Sequence, residues 1–301
     1  MGILLKLTFM KSVLIFGGTK YLGKALLKKI KKKFNITVLS RKKTKISSNI
    51  DSFIINRDSK KSIENFIHNK KFDFVIDFIN YSSFHSSIIH DLIVDKALKC
   101  GHYIMISTTW IYNKGKSSKV TENNFDPSKY NYEVCQTTHS YEESKRNSES
   151  FIVQKFIIPY SIVRFPMILS SDDYTKRFNF IPNHLKNREI SKNPCTKKFQ
   201  VIFKDDAVNF LLSLIKKSQK GIFHFSGKEL LSEKSLWNFF LKFFEEKSKF
   251  KKVEIANSPF KFSYDLILDC KKSYEIYKPG NTFDLFEKEF KKFKKLHAEY
   301  R

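Results

Sequence analysis

Short unbroken apolar runs alternate with longer stretches in which apolar residues recur every three or four positions. Ser12-Val13-Leu14-Ile15-Phe16 is the first run and stops at a glycine, which predicts a strand buried on both faces. Leu22, Leu26, Leu27, Ile30 and Phe34 then share one face of a helix whose other face is rich in lysine. Further strands are predicted at 36–39, 53–55, 74–78 and 103–106, with helices over 62–69 and about 85–100 between them. A helix over 141–154 and a strand over 160–164 follow, then helices near 207–217, 233–246 and 283–296. Lys114 to Thr138 is polar and aperiodic, and reads as a loop or lid. Strands alternating with helices over short links predict an α/β fold, a doubly wound parallel sheet with a smaller mixed C-terminal lobe.

The first strand leads through Gly17-Gly18-Thr19-Lys20-Tyr21-Leu22-Gly23 into the first helix. In that setting the N–H groups at the helix start face a pyrophosphate, and glycine lets the backbone approach it. The turn therefore predicts a Rossmann-type dinucleotide domain over 10–165, with a substrate lobe over 166–301 interleaved with the sheet edge. Lys20 stands where a GxxGxxG pattern has its middle glycine, and an ordinary tight turn is the alternative. The second strand ends in Ser40-Arg41-Lys42-Lys43, with no acid to accept a ribose 2′-hydroxyl. Arg41, with Lys20 beside the same pocket, suits a 2′-phosphate, so the expected cofactor is NADP rather than NAD. Arg41 stacked on the adenine is the other reading.

Tyr141-Glu142-Glu143-Ser144-Lys145 puts a phenol and an ammonium one helical turn apart on the same face. A free tyrosine titrates too high to serve as a base at neutral pH, and a neighbouring cation stabilises its phenolate. Ser107-Thr108-Thr109 follows the apolar run 103–106, so hydroxyls stand at the sheet's carboxyl edge, where such sheets bind ligands.

With these motifs the chain resembles an extended short-chain dehydrogenase/reductase of the NAD-dependent epimerase/dehydratase family over nearly its whole length. Ser107-Thr108-Thr109-Trp110-Ile111-Tyr112, Pro159 to Arg164, Asp205-Asp206-Ala207, and Asp269 to Lys272 before Tyr277-Lys278-Pro279 carry further likeness. The resemblance implies that Tyr141 transfers a proton, Lys145 orients the cofactor ribose and tunes Tyr141, and Thr108 hydrogen-bonds the reacting oxygen. Ser107 is the alternative hydroxyl, and Asp58 matches the adenine-side acid. Family dehydratases carry an acid directly after the catalytic hydroxyl; here Thr109 and Trp110 stand there, which argues against dehydration. What remains is 4-keto reduction or 4-epimerisation of a nucleotide-sugar by hydride transfer. Asn179 falls in the segment that touches the substrate diphosphate, and Arg177 and Lys198 are candidate anion contacts, Phe199 standing where an arginine is expected. A homodimer is implied by the same likeness.

Composition adds one competing idea. The chain of 301 residues carries 56 basic and 30 acidic residues, a net charge of +26, with 31 Phe and 13 Tyr. That excess suits an anionic partner, and the alternative function is a Rossmann-fold RNA-binding or regulatory protein with weak or no catalysis. The lysines are spread along the chain and no patterned RNA motif is present, so nucleic acid is not favoured. The four cysteines are far apart and have no metal-ligand spacing, which points to no metal site and a reducing compartment. No stretch is long and apolar enough to span a membrane, so a cytoplasmic protein is expected.

Overall fold

The computed structural model describes residues 10–42, 50–68, 70–112, 119–136, 140–244 and 250–296. Its centre is a seven-stranded sheet in the order Gly221–His224, Tyr160–Phe165, Tyr103–Thr108, Phe74–Asp77, Ser12–Phe16, Asn35–Ser40 and Ile50–Ile54. Ser12–Phe16 pairs in parallel with Asn35–Ser40 on one side and Phe74–Asp77 on the other, and the parallel register continues to Ile50–Ile54 and Tyr103–Thr108. Val13, Leu14, Ile15 and Phe16 are all fully buried, as an unbroken apolar run in a central parallel strand requires. The arrangement is the Rossmann-type α/β sheet expected from the sequence.

The chain forms two compact units. The first takes residues up to Ser107, Asp126–Val163 and Ile215–Ile222; the second takes Thr108–Phe125, Arg164–Leu214 and the chain from Phe223 onward. The core of the first is aliphatic, with Leu14, Leu39, Val75, Ile88, Leu92, Met105 and Ile152 among its buried residues. The second is built on aromatic rings: Phe178, Phe199, Phe203, Phe240, Phe286, Phe290 and Phe293 are buried together with Trp237. Phe178 stacks on Phe286 at 6.1 Å and 17°, and Phe210 on Phe225 at 4.2 Å and 7°. The high phenylalanine content is thus used largely as core in this unit.

Several elements differ from the sequence reading. The helix expected to reach Cys100 ends at Val94: Asp95 caps it, Lys96 turns left-handed at φ +59°, and Lys99–Cys100 pairs with Lys71–Phe72. The third strand is Ile50–Ile54 rather than 53–55. Helix Glu233–Leu241 stops before the expected 246, and 245–249 lie outside the described residues. Of the expected loop at Lys114 to Thr138, 114–118 and 137–138 also lie outside them. Between, Val120 bridges Leu268 and Glu122–Asn124 forms a 3-10 turn. The edge strand Gly221–His224 and the helix Phe180–Lys186 had no sequence counterpart. Among the described residues no helix is long and apolar enough to cross a membrane, no His/Cys/Asp/Glu group could hold a metal, and the cysteines are free.

Candidate dinucleotide and catalytic site

The glycine turn has the geometry its sequence implies. Gly17 and Gly18 sit at φ +82° and +73°, conformations that L side chains rarely adopt. Gly23 is needed for a different reason: a Cβ there would stand 2.2 Å from Gly18 Cα, so helix and turn touch backbone to backbone. The helix Tyr21–Ile30 starts after Lys20, which is extended and exposed, and ends with Lys28 and Lys29 in its last turn. Its start therefore presents N–H groups beside a glycine cradle that side chains would fill. After the second strand, Ser40 is buried and donates to Lys42 O at 2.8 Å, while Arg41 and Lys42 are exposed. Lys43 lies outside the described residues.

Asp58 is exposed but engaged. Tyr81 N–H donates to His85 Nδ1 at 3.1 Å, which leaves the ring hydrogen on Nε2 to meet Asp58 Oδ1 at 2.7 Å. Beside it lies a group the sequence reading passed over. Arg57 is 4% exposed, pairs through Nη2 with Asp77 Oδ2 at 2.8 Å, and lies 4.7 Å from the centre of the Phe16 ring. Asp77 ends its strand and also accepts from Tyr103 Oη at 2.9 Å, and Asn80 Nδ2 donates to that hydroxyl at 3.0 Å.

The same network reaches Lys145. Ser140 caps the helix Tyr141–Lys155, with Glu142 and Glu143 in its first turn, the charge that a helix start favours. Tyr141 is half exposed, and Lys145 Nζ is fully buried, donating to Asn80 O at 2.6 Å and Ile106 O at 3.0 Å. That ammonium lies 5.9 Å from the Tyr141 ring centre and 5.2 Å from that of Tyr81. Burial pushes its pKa down to about 8, against the opposing pull of the Asp77 and Glu149 carboxylates. Glu149, one turn further along the helix, is wholly buried and takes the hydrogen of Ser107 Oγ at 2.5 Å. The helix has a weak apolar signature yet buries Ser144, Asn147, Ser148, Glu149 and Ser150, and Ser86 Oγ of the neighbouring helix donates to Ser148 O at 3.4 Å.

Ser107 and Thr108 both end the strand Tyr103–Thr108, but their hydroxyls differ. The Ser107 proton is given to Glu149. Thr108 Oγ1 instead accepts Trp110 N–H at 3.2 Å, and no acceptor among the described residues takes its proton.

The second unit gathers the other motif residues. Arg164, wholly buried, donates to Tyr112 Oη, Glu122 O and Phe125 O. Tyr112 Oη also meets His224 Nδ1 at 2.9 Å, and His224 Nε2 meets Asp269 O at 2.8 Å. Asp206 accepts from Tyr277 Oη and Gly280 N–H at 2.8 and 2.9 Å. These contacts are a scaffold that fixes loops. Asn179 precedes the short helix Phe180–Lys186, and its Oδ1 is buried with no partner among the described residues. Arg177 is engaged with Asp173 and Thr175 at 3.1 and 2.7 Å. Lys198 is exposed, and Phe199 is core, stacked on Phe262 at 4.5 Å.

No family model matches the chain, and no curated protein matches it. Solved structures do. The chain is similar to the Bordetella bronchiseptica enzyme WbmG in complex with NAD, at a TM-score of 0.76 and 13% identity over 98% of this chain and 97% of that one. It is similar to dTDP-glucose 4,6-dehydratase from Bacillus anthracis in complex with NAD, at 0.74 and 11% over 96% and 98%. It is also similar to UDP-glucuronic acid 4-epimerase from Bacillus cereus in complex with UDP-glucuronic acid and NAD, at 0.70 and 16% over 95% and 100%. At such identities the likeness is one of fold. Over 95–98% of its length the chain shares the Rossmann-type α/β fold of these enzymes.

Proposed function

We propose that the chain is an NADP-dependent enzyme that acts on a nucleotide-sugar by hydride transfer, as a 4-keto reductase or a 4-epimerase. The observation that carries this reading is the buried Lys145 ammonium beside the half-exposed Tyr141 phenol, in the same unit as the left-handed glycine turn that leads into the first helix. The structures of like fold contain NAD and nucleotide or nucleotide-sugar ligands. Gly17 and Gly18, both left-handed, and Gly23, in backbone contact with Gly18, make the tight strand-to-helix turn whose N–H groups suit a pyrophosphate. Arg41 and Lys42, exposed past the second strand, with Lys20, give the cations for a 2′-phosphate. The nicotinamide, when bound, supplies the hydride donor and acceptor.

Lys145 holds its charge between two backbone carbonyls and two buried acids, so it lowers the energy of the Tyr141 phenolate and can meet a ribose hydroxyl. Tyr141 then passes a proton to or from the sugar oxygen. Thr108 is the better donor to that oxygen than Ser107, whose proton is directed to Glu149. Asn179, whose Oδ1 is buried and unpaired among the described residues, is the residue we assign to the substrate side.

The test is Tyr141→Phe assayed with UDP- and dTDP-sugars and their 4-keto forms, with NADP or NAD in both oxidised and reduced states. Turnover should fall to near zero while the dinucleotide still binds; unchanged turnover refutes the role. Stoichiometric loss of NADPH absorbance with a 4-keto sugar nucleotide identifies a reductase; interconversion of the C4 epimers with oxidised cofactor and no net change in NADPH absorbance identifies an epimerase.

A further inference from the structure

After Thr108 the chain tightens into a 3-10 turn over Thr109–Ile111, pinned by the Thr108 Oγ1 bond to Trp110 N–H. Thr109 and Ile111 point inward and are buried, while Trp110 is 41% exposed. A lone exposed aromatic needs no explanation, but this indole is braced. It stacks on Phe262 with ring centres 5.6 Å apart and 25° between planes. Phe262 stacks in turn on Phe199, and Phe199 on Phe260 at 6.1 Å and 11°. Phe199 and Phe260 are core residues of the same unit. Trp110 is therefore the outer plate of a column of rings rooted in that core, held rigid from below and open to solvent above.

We propose that Trp110, backed by Phe262, is the platform on which the substrate's sugar ring lies. A pyranose has an apolar face of C–H bonds whose weak positive character matches the negative face of an indole. A rigid plate gains this contact with little loss of side-chain freedom, which is the condition for an aromatic to anchor a ligand. The platform is two residues along the chain from Thr108, the hydroxyl assigned above to the reacting oxygen, so it is placed for the sugar rather than the nucleotide base. The same position explains the substitution noted in the sequence: a stacking surface stands where a dehydratase would keep an acid. The inference rests on the nucleotide-sugar reading above.

The chain has two tryptophans, and Trp237 is buried at 1% exposure, so ligand-dependent emission changes report Trp110. UDP-glucose and UDP-galactose should quench the wild-type emission, UDP alone much less, and Trp110→Phe should abolish the quench. In calorimetry, Trp110→Ala should weaken UDP-sugars by about tenfold with UDP affinity unchanged, and Trp110→Phe should recover most of the loss. Dinucleotide affinity serves as the control for folding. The platform is overturned if Trp110→Ala binds UDP-sugars as tightly as wild type, or loses UDP and UDP-sugar equally, which would signify base stacking. If wild type binds the dinucleotide but no UDP- or dTDP-sugar, the nucleotide-sugar reading itself falls, and the platform with it.

Discussion

Lys145 is an ionised group held in a dry site, and this has a consequence for stability that needs no substrate to observe. Its pKa is depressed from 10.5 to about 8 in the folded protein, chiefly by burial. The folded state therefore resists protonation more than the unfolded chain does, and stability from this group is present above 10.5 and lost as pH falls through 8. Linkage puts the cost of the folded-state charge at about 3.3 kcal/mol at pH 7 and about 0.8 kcal/mol at pH 10. Lys145→Met keeps the length of the stem and removes the titration. It also strips a donor from Asn80 O and Ile106 O, but that loss is the same at every pH. The stability of Lys145→Met relative to wild type should thus fall by about 2.5 kcal/mol between pH 7 and pH 10. Taking the difference between the two proteins cancels Cys100 and Cys270, which burial pushes up to about 12 and about 11 and which titrate in both. Urea unfolding at pH 7, 8.5 and 10 measures it. A difference that stays flat with pH would refute the claim that the ammonium is desolvated.

Gly23→Ala should weaken dinucleotide binding at least tenfold in a fluorescence titration, since the new methyl would sit 2.2 Å from Gly18 Cα and force the turn away from the helix. Asp77→Asn leaves the Arg57 charge buried without its counter-ion and should destabilise the protein by about 3–5 kcal/mol; a urea midpoint close to wild type would show that the pair is replaceable. Arg41→Ala should cost about 1.5–3 kcal/mol of NADPH affinity and little for NADH. Equal losses for both would mean that Arg41 stacks on the adenine, and tighter NADH than NADPH in wild type would discard the NADP assignment. Thr108→Ala should reduce turnover more than Ser107→Ala does, the reverse order pointing to Ser107 as the reacting hydroxyl.

What could be read from the sequence was what local chemistry specifies. Ser12–Phe16, the glycine turn and the first helix follow from an apolar run, a backbone that must turn left-handed, and helical spacing. Tyr141 and Lys145 were legible because one helical turn brings them to one face. Glu149 lies at the next repeat of that spacing and could have been found the same way, but a glutamate on a polar helix looks solvated until its neighbours bury it. Arg57 and Asp77 could not be paired in advance, since Ile50–Ile54 stands three places from Phe74–Asp77 in the sheet and the pair depends on how the chain returns after Ile54. The helix expected to run to Cys100 failed for a related reason: apolar periodicity continues through Ala97 and Leu98, while the left-handed Lys96 ends the helix.

The edge strand Gly221–His224 has a bearing on how the molecule is made. It completes a sheet whose previous strand, Tyr160–Phe165, leaves the ribosome more than fifty residues earlier (221 against 165), and Ser161 Oγ donates to Gln219 O at 2.6 Å across that gap. At about 5–20 residues per second, the 160–165 strand waits several seconds with an unpaired edge during synthesis. Such an edge is a template for pairing with another chain. A fragment cut near residue 165 would keep that edge permanently open, so the N-terminal half should aggregate when expressed alone unless the 215–224 segment is spliced back to it.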